Sequence, residues 1–343
     1  MSTRASSPQL LAARAAVARS LSDVPDGALV LVACSGGPDS LALAAATAWV
    51  GAQHGFGTLA VIVDHGLQEA SASVAEWAAR TCRALGVDEA TVLRAVVGTD
   101  GGPEAAARSA RYAALESVAV ERDAATVLLG HTREDQAETV LLRLARGSGA
   151  RSLSGMRERS GPWRRPFLSL SRADVQAVAA EVLEPLGERP WSDPHNDDPA
   201  YARVRVRVLL DDLVQAIGPG AVLGLSRSAE LLRDDADALD DWASREGERL
   251  VSADDGALVA DCEALTALPR AVRTRLIRRM CVAAGSLPDQ LTADHVRRVE
   301  EFATEWSGQG AASLPCGVIA ERSYGRLWVR SARASRNTDT QTE

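Results

Sequence analysis

Ser35-Gly36-Gly37-Pro38-Asp39-Ser40 is the stretch whose residue types and spacing most clearly suit chemistry. A glycine turn between a strand and a helix aims backbone N–H groups and the positive end of the helix dipole at an anion. Gly36 and Gly37 let the backbone approach a phosphate closely, and Ser35 and Ser40 add hydroxyl donors. Asp39 is out of place beside a phosphate unless a cation lies between, so it points to Mg²⁺ or to a positively charged substrate group. The loop is not a Walker A sequence, because it lacks both the GxxxxGK[ST] spacing and the lysine. Taken alone it could also be a tight turn with no ligand.

Other groups stand further along. Asp135 and Glu138 are three apart, on one face of an expected helix that begins near Glu134. They suit Mg²⁺ or the ammonium groups of an amine, and equally the plain role of acids at a helix N-terminus. Asp64-His65 closes an expected strand over 59–63, at the sheet edge where open α/β folds bind ligands; a simple turn is the competing reading. Arg108, Arg111 and Tyr112 share adjoining faces of a helix over 104–120. Eight arginines and a single acid, Glu158, lie between 143 and 172, and Arg203, Arg205 and Arg207 follow. Five more arginines crowd 270–279. The formal net charge of −8 argues against bulk attraction to nucleic acid, but these local clusters suit polyanion contact. All 38 basic residues are arginine, for which coding bias in a GC-rich genome is the plainest account.

The elements that must position these groups follow from the pattern. Residues 8–21 form an amphipathic helix; a transit peptide is disfavoured because the helix runs directly into the first strand. The run 29–33 reads as a buried parallel strand, with further strands over 59–63, 91–97 and 126–129 and helices over 73–85 and 172–183. The Tyr201 segment is read as helix, because 209–217 is helical in pattern. Gly218-Pro219-Gly220 marks a boundary before an acidic helix over about 222–249. A small α+β region follows, with a short strand from 252, helices over 262–284 and 292–306 and two or three strands between 311 and 330. Five scattered cysteines without a CxxC indicate reduced thiols in the cytoplasm, and no apolar stretch is long enough to span a membrane.

SGGPDS, VDHGL, GGPEAAARSARYAAL, GHTREDQAETVLLRLARGSGARSLSGM, RPFLSLSR and SDPHNDDPAYARVR occur in this order. Together they resemble the tRNA(Ile)-lysidine synthetase family of N-type ATP pyrophosphatases, over about residues 28–217. LPCGVIAERSYGRLWV extends the likeness more weakly. The family often has aspartate where Glu134 stands and asparagine where Val204 stands. The resemblance implies an α/β fold: a Rossmann-like parallel sheet with a PP-loop, a connecting helix and a small α+β C-terminal domain. The implied division is 1–24 N-terminal helix, 25–217 catalytic domain, 218–250 linker helix, 251–333 tRNA-contacting domain and 334–343 disordered tail. The implied reaction adenylates the wobble cytidine of a CAU-anticodon tRNA(Ile) and then ligates free L-lysine to its carbon 2. ATP would be bound by Ser35, Gly36, Gly37, Pro38, Asp39, Ser40, Asp64, His65 and Gly130. Asp39, Asp135 and Glu138 would be catalytic, with Mg²⁺ on Asp39 and Asp135 and lysine on Asp135 and Glu138. Arg108, Arg111, Arg143, Arg146, Arg151, Arg203, Arg205 and Arg207 would contact tRNA, and the 270–279 cluster would grip it elsewhere. A homodimer is compatible with this reading. A PP-loop tRNA thiolase is disfavoured by the missing CxxC, and a non-catalytic nucleotide-binding module would not need Asp135, Glu138 or the arginine-rich insert.

Overall fold

The computed structural model describes residues 6–66, 71–95, 98, 103–147, 149–193 and 198–332. The expected turn at 101–102, the centre of the loop at 194–197 and the tail over 334–343 lie outside them.

β1 (Leu29–Cys34) is an apolar run, and four of its six residues are buried, as a strand covered on both faces requires. α2 (Pro38–His54) follows. Its alanines leave little side chain between helix and sheet, and it is buried from Ser40 to Ala48. β2 (Gly57–Asp64), α3 (Ser71–Ala84), β3 (Glu89–Arg94), α4 (Pro103–Glu121), β4 (Thr126–Leu128) and α5 (Arg133–Ala145) continue the alternation. Beyond them lie α6 (Ala150–Leu153), a hairpin of β5 (Arg159–Ser160) and β6 (Trp163–Arg164), and α7 (Arg172–Leu183). The sheet order is β3-β2-β1-β4-β6-β5, parallel except for the β5–β6 hairpin. Leu29 pairs with Gly57 on one side of β1, and Val30 with Thr126 on the other. α1 (Pro8–Ser20), α2, α3 and α7 supply one face of the core, including Val17, Leu43, Ala78 and Val178, and Phe167 joins it from the segment before α7. α4 covers the other face with Leu115 and Val118 against Leu31, Leu59 and Val127.

Two features depart from the sequence pattern. The β5–β6 hairpin was not anticipated; it turns at Gly161-Pro162, where Gly161 takes a φ of +57°. The single helix expected over 262–284 is two, α10 (Cys262–Ala267) and α11 (Arg270–Ala283). Pro269 imposes extended backbone on Leu268, whose φ and ψ are −75° and 146°.

α8 (Ala202–Ile217) is helical throughout, and α9 (Gly220–Leu250) is one long helix with Ala229, Ala236 and Ala243 buried at seven-residue spacing. The chain divides into two compact units, residues 1–232 and 233–343, at a point inside α9. The second unit has an antiparallel sheet in the order β7-β8-β11-β10-β9. Its strands are β7 (Val251–Asp254), β8 (Ala257–Asp261), β9 (Ala312–Leu314), β10 (Val318–Ser323) and β11 (Arg326–Ser331). Leu276 and Ile277 of α11, with Val299 and Phe302 of α12 (Ala293–Thr304), pack on it.

Most of the arginines over 270–279 have partners inside this unit. Arg273 and Arg270 lie 2.8 and 3.3 Å from buried Glu300, and Arg275 lies 3.0 Å from Asp240. Arg278 donates to the Leu291 carbonyl, and Arg279 to the Ser244 hydroxyl. Arg273, Arg275 and Arg278 therefore hold parts of this unit together, while Arg270 and Arg279 make their contacts from exposed positions.

Candidate active site

The chain leaves β1 toward β2 on one side and reaches β4 on the other, so the strand order reverses between β1 and β4. The crevice beyond the carboxyl ends of such strands is where open α/β sheets take ligands. The Ser35–Ser40 loop forms one wall. Ser40 Oγ accepts the Ser35 N–H at 3.1 Å and donates to the Gly37 carbonyl at 2.9 Å, which braces the turn. Gly37 caps α2, and Pro38 occupies its first turn, where a missing N–H costs nothing. Gly36 has a φ of +81°, and a Cβ there would lie 3.2 Å from the Trp77 ring. The other wall is Gly130, at the end of β4. A Cβ on Gly130 would come within 3.0 Å of the Asp39 carbonyl oxygen, so only glycine allows this approach.

Asp39, in the first turn of α2, faces Asp135 on α5. Burial, the Asp135 charge and Glu134 push its carboxyl up to about 6, against the pull of Arg172 and Arg207. Asp39 Oδ1 is buried without a hydrogen-bond partner. Asp135 uses one oxygen locally: Oδ2 accepts the Thr132 N–H at 2.7 Å and the Thr132 hydroxyl at 3.0 Å. Its Oδ1 meets Arg172 at 2.9 Å. The same guanidinium nitrogen lies 3.0 Å from Glu138 Oε1, and Arg207 Nε reaches that oxygen at 3.2 Å. Burial raises the Asp135 carboxyl, but Arg172, His131 and the Thr132 hydrogen bonds together hold it below its ordinary value. Glu134 accepts the backbone N–H of Arg172 at 2.7 Å, fixing α7 against α5.

Cations line the remaining side. Arg108 stacks over Tyr112 at 4.8 Å and donates to its hydroxyl at 3.1 Å. Burial, then the charges of Arg203, Arg111 and Arg165, depress Arg108 despite the nearby Tyr112. His131 is pushed down to about 3 by burial, with Arg165, Arg108 and Arg203 adding to the effect against Asp135, so it is neutral at pH 7. Its Nδ1 is buried without a partner. His65 accepts from Arg111 Nε at 3.4 Å, and Asp64 accepts the Gly66 N–H at 2.9 Å. A phosphate bound here would relieve the repulsion that these arginines add to their burial.

The donor set fits Mg²⁺. Among the described residues no group of three or more His, Cys, Asp or Glu side chains gathers as a metal cage. Mg²⁺ takes few protein ligands, keeping waters and phosphate oxygens for the rest. Asp39, with an unpartnered buried oxygen beside the Asp135 charge, supplies that kind of partial site.

The structure thus brings together Asp39, Asp135, Glu138, Gly130 and the Ser35–Ser40 loop, with Arg207 joining the carboxylates. Arg108, Arg111 and Arg203 form one electrostatic group. Arg143 and Arg205 are turned to backbone: Arg143 caps the carbonyls of Ser152 and Gly155, and Arg205 those of Pro199 and Ala200. Arg146 and Arg151 are exposed on the surface. The pattern gave no role in the site to Arg172, His131 or Trp77. Arg172 is 34 residues from Glu138, and no local signal marks that pairing.

A glycine turn at the switch point, an acid at the start of the helix it opens and a rim of arginines define a PP-loop nucleotide-binding domain. A family model described as a PP-loop domain matches residues 12–213, and one described as the TilS substrate binding domain matches residues 261–328. A curated tRNA(Ile)-lysidine synthase from Thermobifida fusca is 53% identical over 323 residues, covering 94% of this chain and 98% of that protein. One from Streptomyces coelicolor is 48% identical over 311 residues, 90% of this chain and 86% of its own. The chain belongs to the tRNA(Ile)-lysidine synthase family. The solved U34-tRNA thiolase NcsA from Methanococcus maripaludis shares the fold, with a TM-score of 0.54 and 20% identity over 66% of this chain and 80% of that one.

Proposed function

We propose that this enzyme joins free L-lysine to carbon 2 of the wobble cytidine in a CAU-anticodon tRNA(Ile), consuming ATP and releasing pyrophosphate and AMP. In the first step the cytidine carbonyl oxygen attacks the α-phosphate of ATP and pyrophosphate leaves. In the second the lysine ε-amine attacks carbon 2 and expels AMP.

One observation carries the reading. Asp135 and Glu138 converge on a single guanidinium beside the phosphate loop, so the site is already built around a cation. The ammonium groups of lysine have the same charge preference, and a carboxylate there would also accept the proton that the attacking amine must lose. The Ser35–Ser40 loop and the first turn of α2 would hold the leaving pyrophosphate, where preorganised donors act without reorganisation. Asp64, His65 and Gly130 would flank the nucleotide. Mg²⁺, when bound by Asp39 and Asp135, supplies charge neutralisation of the phosphates. Arg108, Arg111 and Arg203 suit the polynucleotide or adenylate phosphates, and Arg146 and Arg151 suit contacts at the rim.

Residues 25–217 would be catalytic, 218–250 a connector and 251–333 the second tRNA contact. We place the enzyme in the cytoplasm, where its cysteines, none spaced as CxxC, remain reduced; no single described helix is long and apolar enough to cross a membrane. Exposed Val208, Leu209 and Ile217 on α8 are compatible with a homodimer.

The test is to mix the protein with ATP, Mg²⁺, radiolabelled lysine and a CAU-anticodon isoleucine tRNA transcript. Label entering the tRNA, with AMP and pyrophosphate formed in equal amounts, is the expected result. ATP turnover without label in the tRNA, or modification only when a sulfur donor is added, refutes it.

A further inference from the structure

Cys34 and Cys82 are 48 residues apart, yet their sulfurs lie 3.5 Å from each other. Both are buried, at 4% and 0% exposure. Cys34 ends β1 directly below the phosphate loop, and Cys82 lies in the last turns of α3. The Cys34 sulfur also contacts the phosphate loop itself. The Gly36 N–H points to it at 3.5 Å, and the Ser40 hydroxyl lies at 3.5 Å. Ser40 is the residue that braces Ser35 and Gly37. α3 contributes Trp77 and Ala78, which would lie within 3.2 and 3.3 Å of a Cβ on Gly36. The thiol pair therefore sits where α3 is keyed into the loop.

We propose that Cys34 and Cys82 form an oxidation site for hydroperoxides, closing to a disulfide that distorts the phosphate loop. The site needs no cofactor. The Cys82 S–H contact, against the opposing effect of burial, holds Cys34 below the ordinary thiol range, and the same contact with burial raises Cys82, so Cys34 is the sulfur that ionises and Cys82 the one that keeps its proton. The Cys34 thiolate attacks one oxygen of hydrogen peroxide, the O–O bond breaks, and sulfenic acid and hydroxide form. Hydroxide takes the proton that Cys34 released. The Cys82 sulfur then attacks the sulfenic sulfur, its proton leaves with the hydroxyl group as water, and the S–S bond forms. Two thiols lose two electrons in total, and one peroxide becomes two waters.

The structural effect follows from distance. An S–S bond is about 2.05 Å, so the sulfurs must approach by about 1.5 Å from their 3.5 Å contact. That motion draws Cys34 from the Gly36 N–H and the Ser40 hydroxyl, and it pulls α3 against the loop. The contact differs from the cysteine pairs of a sulfur-relay enzyme: the sulfurs lie in the core behind the loop and bond to its backbone.

The experiment treats the full-length protein with graded hydrogen peroxide, blocks remaining thiols with N-ethylmaleimide and maps peptides without reduction. Expected is an intramolecular Cys34–Cys82 link in protein whose circular dichroism is unchanged. Lysidine formation should fall at least tenfold in proportion to the link and return with dithiothreitol. Cys82→Ala should keep basal activity, form no link and expose a Cys34 sulfenic acid to dimedone. Cys34 and Cys82 both remaining alkylatable when the peroxide-treated protein is denatured in N-ethylmaleimide would overturn the proposal. So would a stoichiometric link with unchanged activity. The peptide map on the natural chain stands even if Cys82→Ala fails to fold, and it does not depend on the substrate assigned above.

Discussion

Asp39→Asn should make the ligand-free enzyme more stable while removing its activity. The carboxyl of Asp39 is raised from 3.8 to about 6, chiefly by burial and then by the neighbouring Asp135. At pH 7 the wild-type group is nevertheless ionised, and the gap corresponds to about 3 kcal/mol of unfavourable charge. Its place in the first turn of α2 offsets up to about 1 kcal/mol through the helix dipole. The neutral amide should therefore stabilise the first unit by about 2 kcal/mol, or roughly 4–8 °C in Tm for a unit of this size. The sign with pH is fixed by linkage. Between about pH 4 and 6 the native wild type binds more protons than the unfolded chain, so it loses stability as pH rises through that range. The advantage of Asp39→Asn should be near zero at pH 4, grow up to about pH 6 and stay level above it. Urea denaturation of both proteins at pH 4, 5, 6 and 7.5, without Mg²⁺ or nucleotide, measures this. Adding Mg²⁺ and ATP should then stabilise the wild type and leave the variant unmoved. A variant no more stable than wild type at pH 7.5, or an advantage independent of pH, would refute the electrostatic reasoning.

Two further outcomes follow from contacts in the site. Arg172→Gln leaves Asp135 and buried Glu138 with Arg207 as the remaining counter-charge, and should cost about 2–3 kcal/mol in urea denaturation; Arg172→Lys should recover more than half, because both carboxylates meet a single nitrogen that an ammonium can replace, and unchanged stability in Arg172→Gln would contradict the bridge. Gly130→Ala drives a methyl toward the backbone of Asp39, at 3.0 Å from its carbonyl oxygen, and should raise the KM for ATP at least tenfold with tRNA affinity in a filter-binding assay unchanged.

Much of this site was legible before the structure because its signals are local. A buried apolar strand, two glycines, a helix-favouring run and a pair of acids three apart can each be recognised within a dozen residues. What escaped the pattern depends on distance along the chain. Arg172 belonged, by sequence, to an arginine-rich stretch suited to RNA, yet it closes the carboxylate pair of α5 from another helix. Arg143 and Arg273 belonged to similar clusters and are engaged with carbonyls or Glu300. A guanidinium has five donors and serves interior carbonyls as readily as phosphates, so arginine density alone does not mark an RNA surface. The thiol contact of Cys34 and Cys82 was equally invisible, since neither spacing nor periodicity links β1 to the end of α3.

The Thr132–Asp135 bond ties two timescales together. Helix ends fray and re-form rapidly, and an ordinary first turn can open without consequence for chemistry. Here the carboxylate that secures the Thr132 N–H is the one whose other oxygen faces the site. When that turn opens, the carboxylate proposed to hold lysine and Mg²⁺ moves with it. The hydrogen-exchange rate of the Thr132 amide should therefore report how often this turn, and Asp135 with it, opens. Lysine or nucleotide that engages Asp135 should slow that single amide in step with its own binding.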